Sequence, residues 1–183
     1  PYTTLFRSGI NGTGFAGDYT ARVYGLIPHK NGVDIRLAGV TSGHKENADA
    51  FAARHGVETA YESHAQMLGA VKPDIDNIAC ANYVHGQYVV EAAQAGVKVI
   101  VLEKPPVIWP GYAAGRQADA ARRKHESMET LAHVLDAVAN SGAKLLYAED
   151  FVYFDGIKGM VQLLAEARRA GKGKVLLQHG VCA

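Results

Sequence analysis

The hexapeptide Gly12-Thr13-Gly14-Phe15-Ala16-Gly17 lies between an apolar run, Leu5 to Ile10, and a stretch that spaces Ala21, Val23, Tyr24 and Leu26 as one helix face would. Glycines in this pattern suit a strand that turns sharply into a helix. Gly12 permits the tight turn, Gly14 lets the backbone approach a pyrophosphate, and Gly17 lets the helix pack closely on the strand. The amides of Phe15 and Ala16 then face the phosphates from the positive end of the helix. Taken alone, the motif also fits a glycine-rich turn without a ligand. A second apolar run, Ile35 to Val40, supplies the strand-helix-strand context that a dinucleotide-binding turn requires.

Beyond the turn, short apolar runs alternate with segments of helical period, the pattern of a parallel sheet covered by helices. The expected strands are Leu5 to Ile10, Ile35 to Val40, a short one at Thr59 to Tyr61, Ile75 to Ala81, Val97 to Leu102, Lys144 to Ala148 and Lys174 to Gln178. Expected helix faces are Ala48, Phe51 and Ala52; Met67, Leu68 and Val71; Val89, Ala92 and Ala93; and Met128, Leu131, Ala132, Leu135, Val138 and Ala139. Gly56, Gly96, Gly142 and Gly171 are placed to end four helices, and Ser63 with Gln66 three residues on forms a capping box. The fold class is therefore α/β: a Rossmann-type doubly wound parallel sheet over 9–148, with an insertion at 107–125, followed at 149–183 by the truncated start of an α+β substrate domain. Residues 1–8, PYTTLFRS, read as translated sequencing adapter and are expected to be foreign to the natural protein.

Charge narrows the partners. Nineteen basic against 18 acidic residues leave a net charge of +1, and the basic side chains are scattered, which gives no footprint for nucleic acid. The apolar stretches are too short to cross a bilayer and no secretory signal opens the chain, so a small-molecule partner and a reducing cytoplasm are expected. Cys80 and Cys182 lack metal-ligand spacing, and the eight histidines form no ligand set, so no metal and no disulfide are expected. Assembly into a homo-oligomer is left open.

The end of the second strand decides the cofactor. Thr41-Ser42-Gly43-His44-Lys45 offers no carboxylate for the ribose hydroxyls that NAD-specific sites hold. A hydroxyl at Ser42 with a cation at Lys45 suits a 2'-phosphate, so NADP is expected ahead of NAD. Ser42 as a helix cap and Lys45 as a solvated cation are the plainer alternatives.

Glu103-Lys104-Pro105 falls at the carboxyl end of the fifth strand, where open α/β sheets bind ligands. With Ala81-Asn82-Tyr83-Val84-His85 after the fourth strand and GTGFAG after the first, the ordered set resembles the glucose-fructose oxidoreductase and inositol dehydrogenase (Gfo/Idh/MocA) family. The resemblance runs from about Gly9 to Ala183 apart from the insertion. It implies that Lys104 sits at the nicotinamide and the substrate hydroxyl, that the peptide before Pro105 is often cis, and that Glu103, Asn82 and His85 line the cofactor. It implies hydride transfer between the nicotinamide and a carbinol of a sugar, polyol or related compound, with a second acid/base residue contributed by the later domain. Relatives of this fold also include NAD-using redox-assisted glycosidases and non-catalytic dinucleotide sensors, and both stay open here. Where many members carry an Asn or His, an Arg and a Pro, this chain has Glu149, Asp150, Val152 and Asp155. On their own, Glu103 and Lys104 also fit a surface ion pair, and His85 fits a helix cap.

Overall fold

A computed structural model describes residues 4–27, 33–149 and 155–171. The chain divides into two compact units, Pro1–Ala148 and Glu149–Ala183. In the first, the elements run β1 (Thr4–Asn11), α1 (Phe15–Leu26), β2 (Val33–Thr41), α2 (Lys45–His55), β3 (Ala60–Tyr61), α3 (His64–Val71), β4 (Ile75–Ile78), a 3-10 turn (Asn82–Val84), α4 (His85–Gln94), β5 (Val99–Glu103), α5 (Ala120–Ser141) and β6 (Lys144–Ala148). The described part of the second unit contains α6 (Asp155–Arg169), whose last turn carries Arg168 and Arg169, the sign that favours a helix C-terminus.

The six strands form one sheet in the order β3-β2-β1-β4-β5-β6, and every neighbouring pair is parallel. Parallel strands need crossovers, and the right-handed rule for these puts α1 and α2 on one face and α3, α4 and α5 on the other. The cores agree. Ile10 and Val40 pack with Ala21 of α1 and with Ala48 and Phe51 of α2. On the opposite face Ile78, Ile100 and Leu102 pack with Leu68 of α3, Val89 and Ala92 of α4, and Val134 and Val138 of α5. Strand order reverses between β1 and β4, so the connections leaving their carboxyl ends diverge and open a crevice there.

Gly56, Gly96, Gly142 and Gly171 all take positive φ at helix ends, and Ser63 accepts the amide of Gln66 as the cap of α3. Three expectations shift. β4 stops at Ile78 because the chain turns toward the 3-10 segment, and β5 begins at Val99 and runs on to Glu103. On α5 the buried residues are Val134 and Val138, whereas Met128 and Leu135 are exposed. The expected strand Lys174 to Gln178 lies outside the described residues. Thr4 to Ser8 open β1, and Ser8 is fully buried.

One feature of the interior had no counterpart in the apolar pattern. Ser8, Asn11, Thr41, Asp76 and Asn77 are buried on the adjacent strands β2, β1 and β4. Thr41 Oγ1 donates to Asn11 Oδ1 (2.7 Å), and Asn11 Nδ2 donates to Asp76 Oδ1 (2.8 Å). Asn77 Nδ2 donates to Ser8 Oγ (2.9 Å), and Tyr24 of α1 donates its hydroxyl proton to Asn77 Oδ1 (2.8 Å). Buried polar atoms stabilise only when all are paired, and among the described residues none is left without a partner. The network ties β2, β1 and β4 together directly beneath the crevice.

Candidate functional site

The glycine turn has the shape that its spacing requires. Gly12 adopts φ +107°, and a Cβ there would lie 2.3 Å from the Ala79 carbonyl oxygen. A Cβ on Gly17 would lie 2.0 Å from the Gly12 carbonyl oxygen, so close packing of α1 on β1 admits only hydrogen at this position. Around Gly14 the situation is opposite, with nothing within 4 Å of an added Cβ. Gly14 caps α1 without a side-chain bond, and it is exposed together with Phe15. The first amides of α1, including those of Phe15 and Ala16, have no capping side chain, and Gly14 beside them faces open space, a cradle that fits a dinucleotide pyrophosphate. The Gly12 amide donates to the Thr41 carbonyl (2.8 Å), which fixes the turn to the end of β2.

Across that junction Thr13 Oγ1 and Ser42 Oγ share a hydrogen bond of 3.1 Å. Ser42 does not cap α2, because the N-cap residue is His44 and it makes no side-chain cap bond. Lys45 opens α2 and is not simply solvated, since its ammonium pairs with Asp49 one turn along. Ser42 and Lys45 thus stand at the edge beside the glycine turn, the cation already holding a carboxylate.

Glu103 ends β5, and the Lys104–Pro105 peptide is cis. Lys104 is exposed, and no described residue forms an ion pair or hydrogen bond with its side chain or with that of Glu103. The surface ion pair is therefore not formed. Asn82 is exposed on the 3-10 turn that follows β4. His85 behaves differently: it is 0% exposed, with Nδ1 2.8 Å from the Pro105 carbonyl and Nε2 3.2 Å from the Cys80 carbonyl. It is the first residue of α4 rather than its cap. Burial pushes the Cys80 thiol up to about 12, so it stays protonated at neutral pH.

The insertion is turn and coil from Pro106 until α5 begins at Ala120. Val107, Ile108 and Pro110 face Asn82, Tyr83 and Gln87 across a cleft of about 230 Å³. Its arginines already have partners: Arg116 and Arg122 bond Glu126, which also accepts the Trp109 indole N–H (2.8 Å). Arg116 and Arg123 lie over the Trp109 ring at 5.4 and 5.1 Å. Arg122 and the Trp109 indole hold the Glu126 carboxyl below its usual range.

Sequence reasoning missed two groups. Asp18, in the first turn of α1, accepts from His55 (2.8 Å) and pairs with Arg54 (2.9 Å) and Arg22 (2.7 Å), which fastens α1 to α2. The His55 hydrogen bond, with the two guanidinium charges, holds its carboxyl below the ordinary value. His64 is buried between Asp76 (2.9 Å) and Glu91 (2.6 Å) with Tyr88 stacked on its ring. Polar residues inside the apolar strand run Ile75 to Ala81 were the available signal for the second group.

Comparison with known proteins places this edge in context. Residues 6–133 match the family model described as "Oxidoreductase family, NAD-binding Rossmann fold" (GFO_IDH_MocA). A D-glucoside 3-dehydrogenase of Escherichia coli K12 is 32% identical over 90 residues, which is 49% of this chain and 25% of that protein. Among solved structures, an NAD binding oxidoreductase from Klebsiella pneumoniae superposes with a TM-score of 0.72 at 18% identity, over 90% of this chain and 39% of that one. A scyllo-inositol dehydrogenase from Lactobacillus casei, solved with NAD(H) and scyllo-inositol, gives 0.70 at 21% identity, over 90% and 42%. The chain thus spans less than half the length of these relatives, and at such identities the structural likeness speaks to the fold. The family match covers the glycine turn, both strand-end motifs, most of β1 and all of β2 to β5: the chain belongs to the Gfo/Idh/MocA oxidoreductase family and carries its NAD-binding Rossmann fold.

Proposed function

We propose that this chain is the dinucleotide-binding part of an NADP-dependent oxidoreductase that moves hydride between the nicotinamide and a carbinol carbon of a sugar, polyol or related small molecule. The observation that carries the reading is an exposed ammonium at Lys104 with no described partner, at the same carboxyl edge as a glycine turn whose Gly14 faces open space. The names of the relatives above, a glucoside dehydrogenase and an inositol dehydrogenase, support the substrate class.

Each residue has a separable task. The amides of Gly14, Phe15, Ala16 and Gly17, with the Thr13 side, hold the pyrophosphate, and the helix dipole favours its charge. Ser42 and Lys45 hold the adenosine 2'-phosphate by charge-assisted bonds, with Lys45 exchanging Asp49 for the phosphate. Asn82 and Glu103 border the nicotinamide end. The bound cofactor supplies the hydride chemistry. Hydride loss from a carbinol also requires the hydroxyl proton to leave: the Lys104 ammonium stabilises the developing alkoxide, and the proton goes to the second acid/base residue expected from the later domain.

Calorimetric titration of NADP and NAD into the wild type and Ser42→Asp tests the cofactor assignment. The wild type should bind NADP more tightly, and the new carboxylate should move the preference toward NAD by about 1–2 kcal/mol. Tighter NAD binding by the wild type removes the NADP assignment, and binding of neither removes the dinucleotide reading.

A further inference from the structure

The two loops that leave the centre of the sheet, one after β4 and one after β5, are joined by a single buried side chain. Cys80 lies where the chain leaves β4, two residues before Asn82, and Pro105 directly follows Lys104. His85 reaches both: Nδ1 is 2.8 Å from the Pro105 carbonyl and Nε2 is 3.2 Å from the Cys80 carbonyl. A proton on Nδ1 donates to the β5 loop and a proton on Nε2 donates to the β4 loop, so the ring meets one backbone acceptor or the other in either tautomer. His85 itself cannot shift easily. It is 0% exposed and is the first residue of α4, and the adjoining Gly86 is buried so tightly that an added Cβ would meet Val134, Thr130 and Val107 at 3.3–3.4 Å. The ring is thus anchored by α4 against α5 and the segment after Pro105.

We propose that His85 is a positioning residue: it clamps the Lys104–Pro105 loop to the β4 exit and thereby sets where the Lys104 ammonium stands relative to the nicotinamide end of the site. This rests on the dinucleotide reading, and it gives His85 a task other than contact with the cofactor. A side chain with no surface cannot touch a ligand, yet it can fix the loop that does, as buried hydrogen bonds commonly hold functional groups in register. The glycine turn belongs to β1 and α1; His85 hydrogen-bonds to neither and reaches the turn only through Cys80, whose Cα lies against Gly12, so the adenosine and pyrophosphate half of the site depends less on the clamp than the nicotinamide half.

That division makes the test. NADP+ and 2'-phospho-ADP-ribose, and likewise NAD+ and ADP-ribose, differ only by the nicotinamide. Loss of the hydrogen bond that the His85 ring donates should weaken NADP+ by about three- to tenfold in His85→Leu while changing 2'-phospho-ADP-ribose by less than about twofold, and His85→Gln, which keeps an amide N–H, should lie between. In the ligand-free protein, NMR of lysines labelled by reductive 13C-methylation, with Lys104 assigned from Lys104→Arg, should show the Lys104 signal displaced in His85→Leu and returned toward wild type in His85→Gln. Thermal melts verify that both variants fold. Equal weakening of the ligands with and without nicotinamide, or a Lys104 signal indifferent to His85, overturns the clamp. Failure of the wild type to bind any of the four ligands instead overturns the dinucleotide reading, which the ligand-free Lys104 signal reports separately.

Discussion

Gly14 and Gly17 lie three residues apart, yet the same substitution should act on different properties of the protein. Alanine at position 17 would place its Cβ 2.0 Å from the Gly12 carbonyl, so α1 must lift from β1, an overpacking strain of about 1–3 kcal/mol. Alanine at position 14 meets nothing within 4 Å, and stability should change by less than about 0.5 kcal/mol. The methyl group would, however, stand where the pyrophosphate approaches the backbone. Gly14→Ala should therefore keep the wild-type urea midpoint and weaken NADP by roughly tenfold or more, while Gly17→Ala lowers the midpoint. A Gly14→Ala protein that binds NADP at wild-type strength would show that the turn does not hold the phosphates. Both tasks were legible in the glycine spacing, because a turn with so little room leaves few residue types that fit. The role of His85 was not legible, since its carbonyl partners are backbone atoms of distant loops that leave no mark in a sequence.

Between elements, the buried His64 ties α3 to β4 through Asp76 and to α4 through Glu91. Burial disfavours its charged form, but the hydrogen bond and charge of Asp76, then those of Glu91, outweigh it and raise the imidazole above its usual value of 6.5. Tyr88 stacks on the ring, Asn11 donates to Asp76 Oδ1, and Gln87 donates to Glu91, so the two carboxylates are themselves held. A raised folded-state value means that the folded protein binds the proton more tightly than the unfolded chain. The stabilisation is fully present below 6.5 and is lost as pH rises through the folded value. The stability difference between wild type and His64→Gln should accordingly be larger at pH 6 than at pH 9 in urea titrations. A difference that is constant, or grows with pH, would mean that His64 is not held as the imidazolium.

The same elements show why the sheet was more legible than some of its faces. Strands of a parallel sheet buried on both sides are near-continuous apolar runs, which is why Ile35 to Val40 and Val97 to Leu102 stood out. α5 carries apolar residues on two stripes, Met128 with Leu135 and Val134 with Val138, and periodicity alone does not rank them. The buried stripe was decided by its neighbour, because Gly86 of α4 leaves room for Val134 and Thr130. The polar set Asn11, Asp76, Asn77 and His64 was hidden for a similar reason. Each looks like an interruption until the strand order brings them together.

In the molecule as a whole, the residues assigned to the dinucleotide, from Gly12 to Lys104, and all six described strands lie within the unit Pro1–Ala148. The buried polar network and both cores are also built from residues of that unit. A protein cut after Ala148 should therefore fold cooperatively and bind NADP within about twofold of the full chain, or about 0.4 kcal/mol. One feature opposes this outcome: among the described strands β6 is the edge beyond β5, and Leu146 is 50% exposed. An edge with apolar side chains and free backbone groups invites pairing between copies, so the measurement belongs at low protein concentration with light scattering alongside. NADP at one saturating concentration should stabilise the full chain and the 1–148 protein by similar free energies in urea titrations, because ligand stabilisation depends on affinity and concentration alone. Loss of NADP binding by a folded, monomeric 1–148 protein would place an essential part of the site in residues 149–183 and remove the assignment of the whole dinucleotide contact to the first unit.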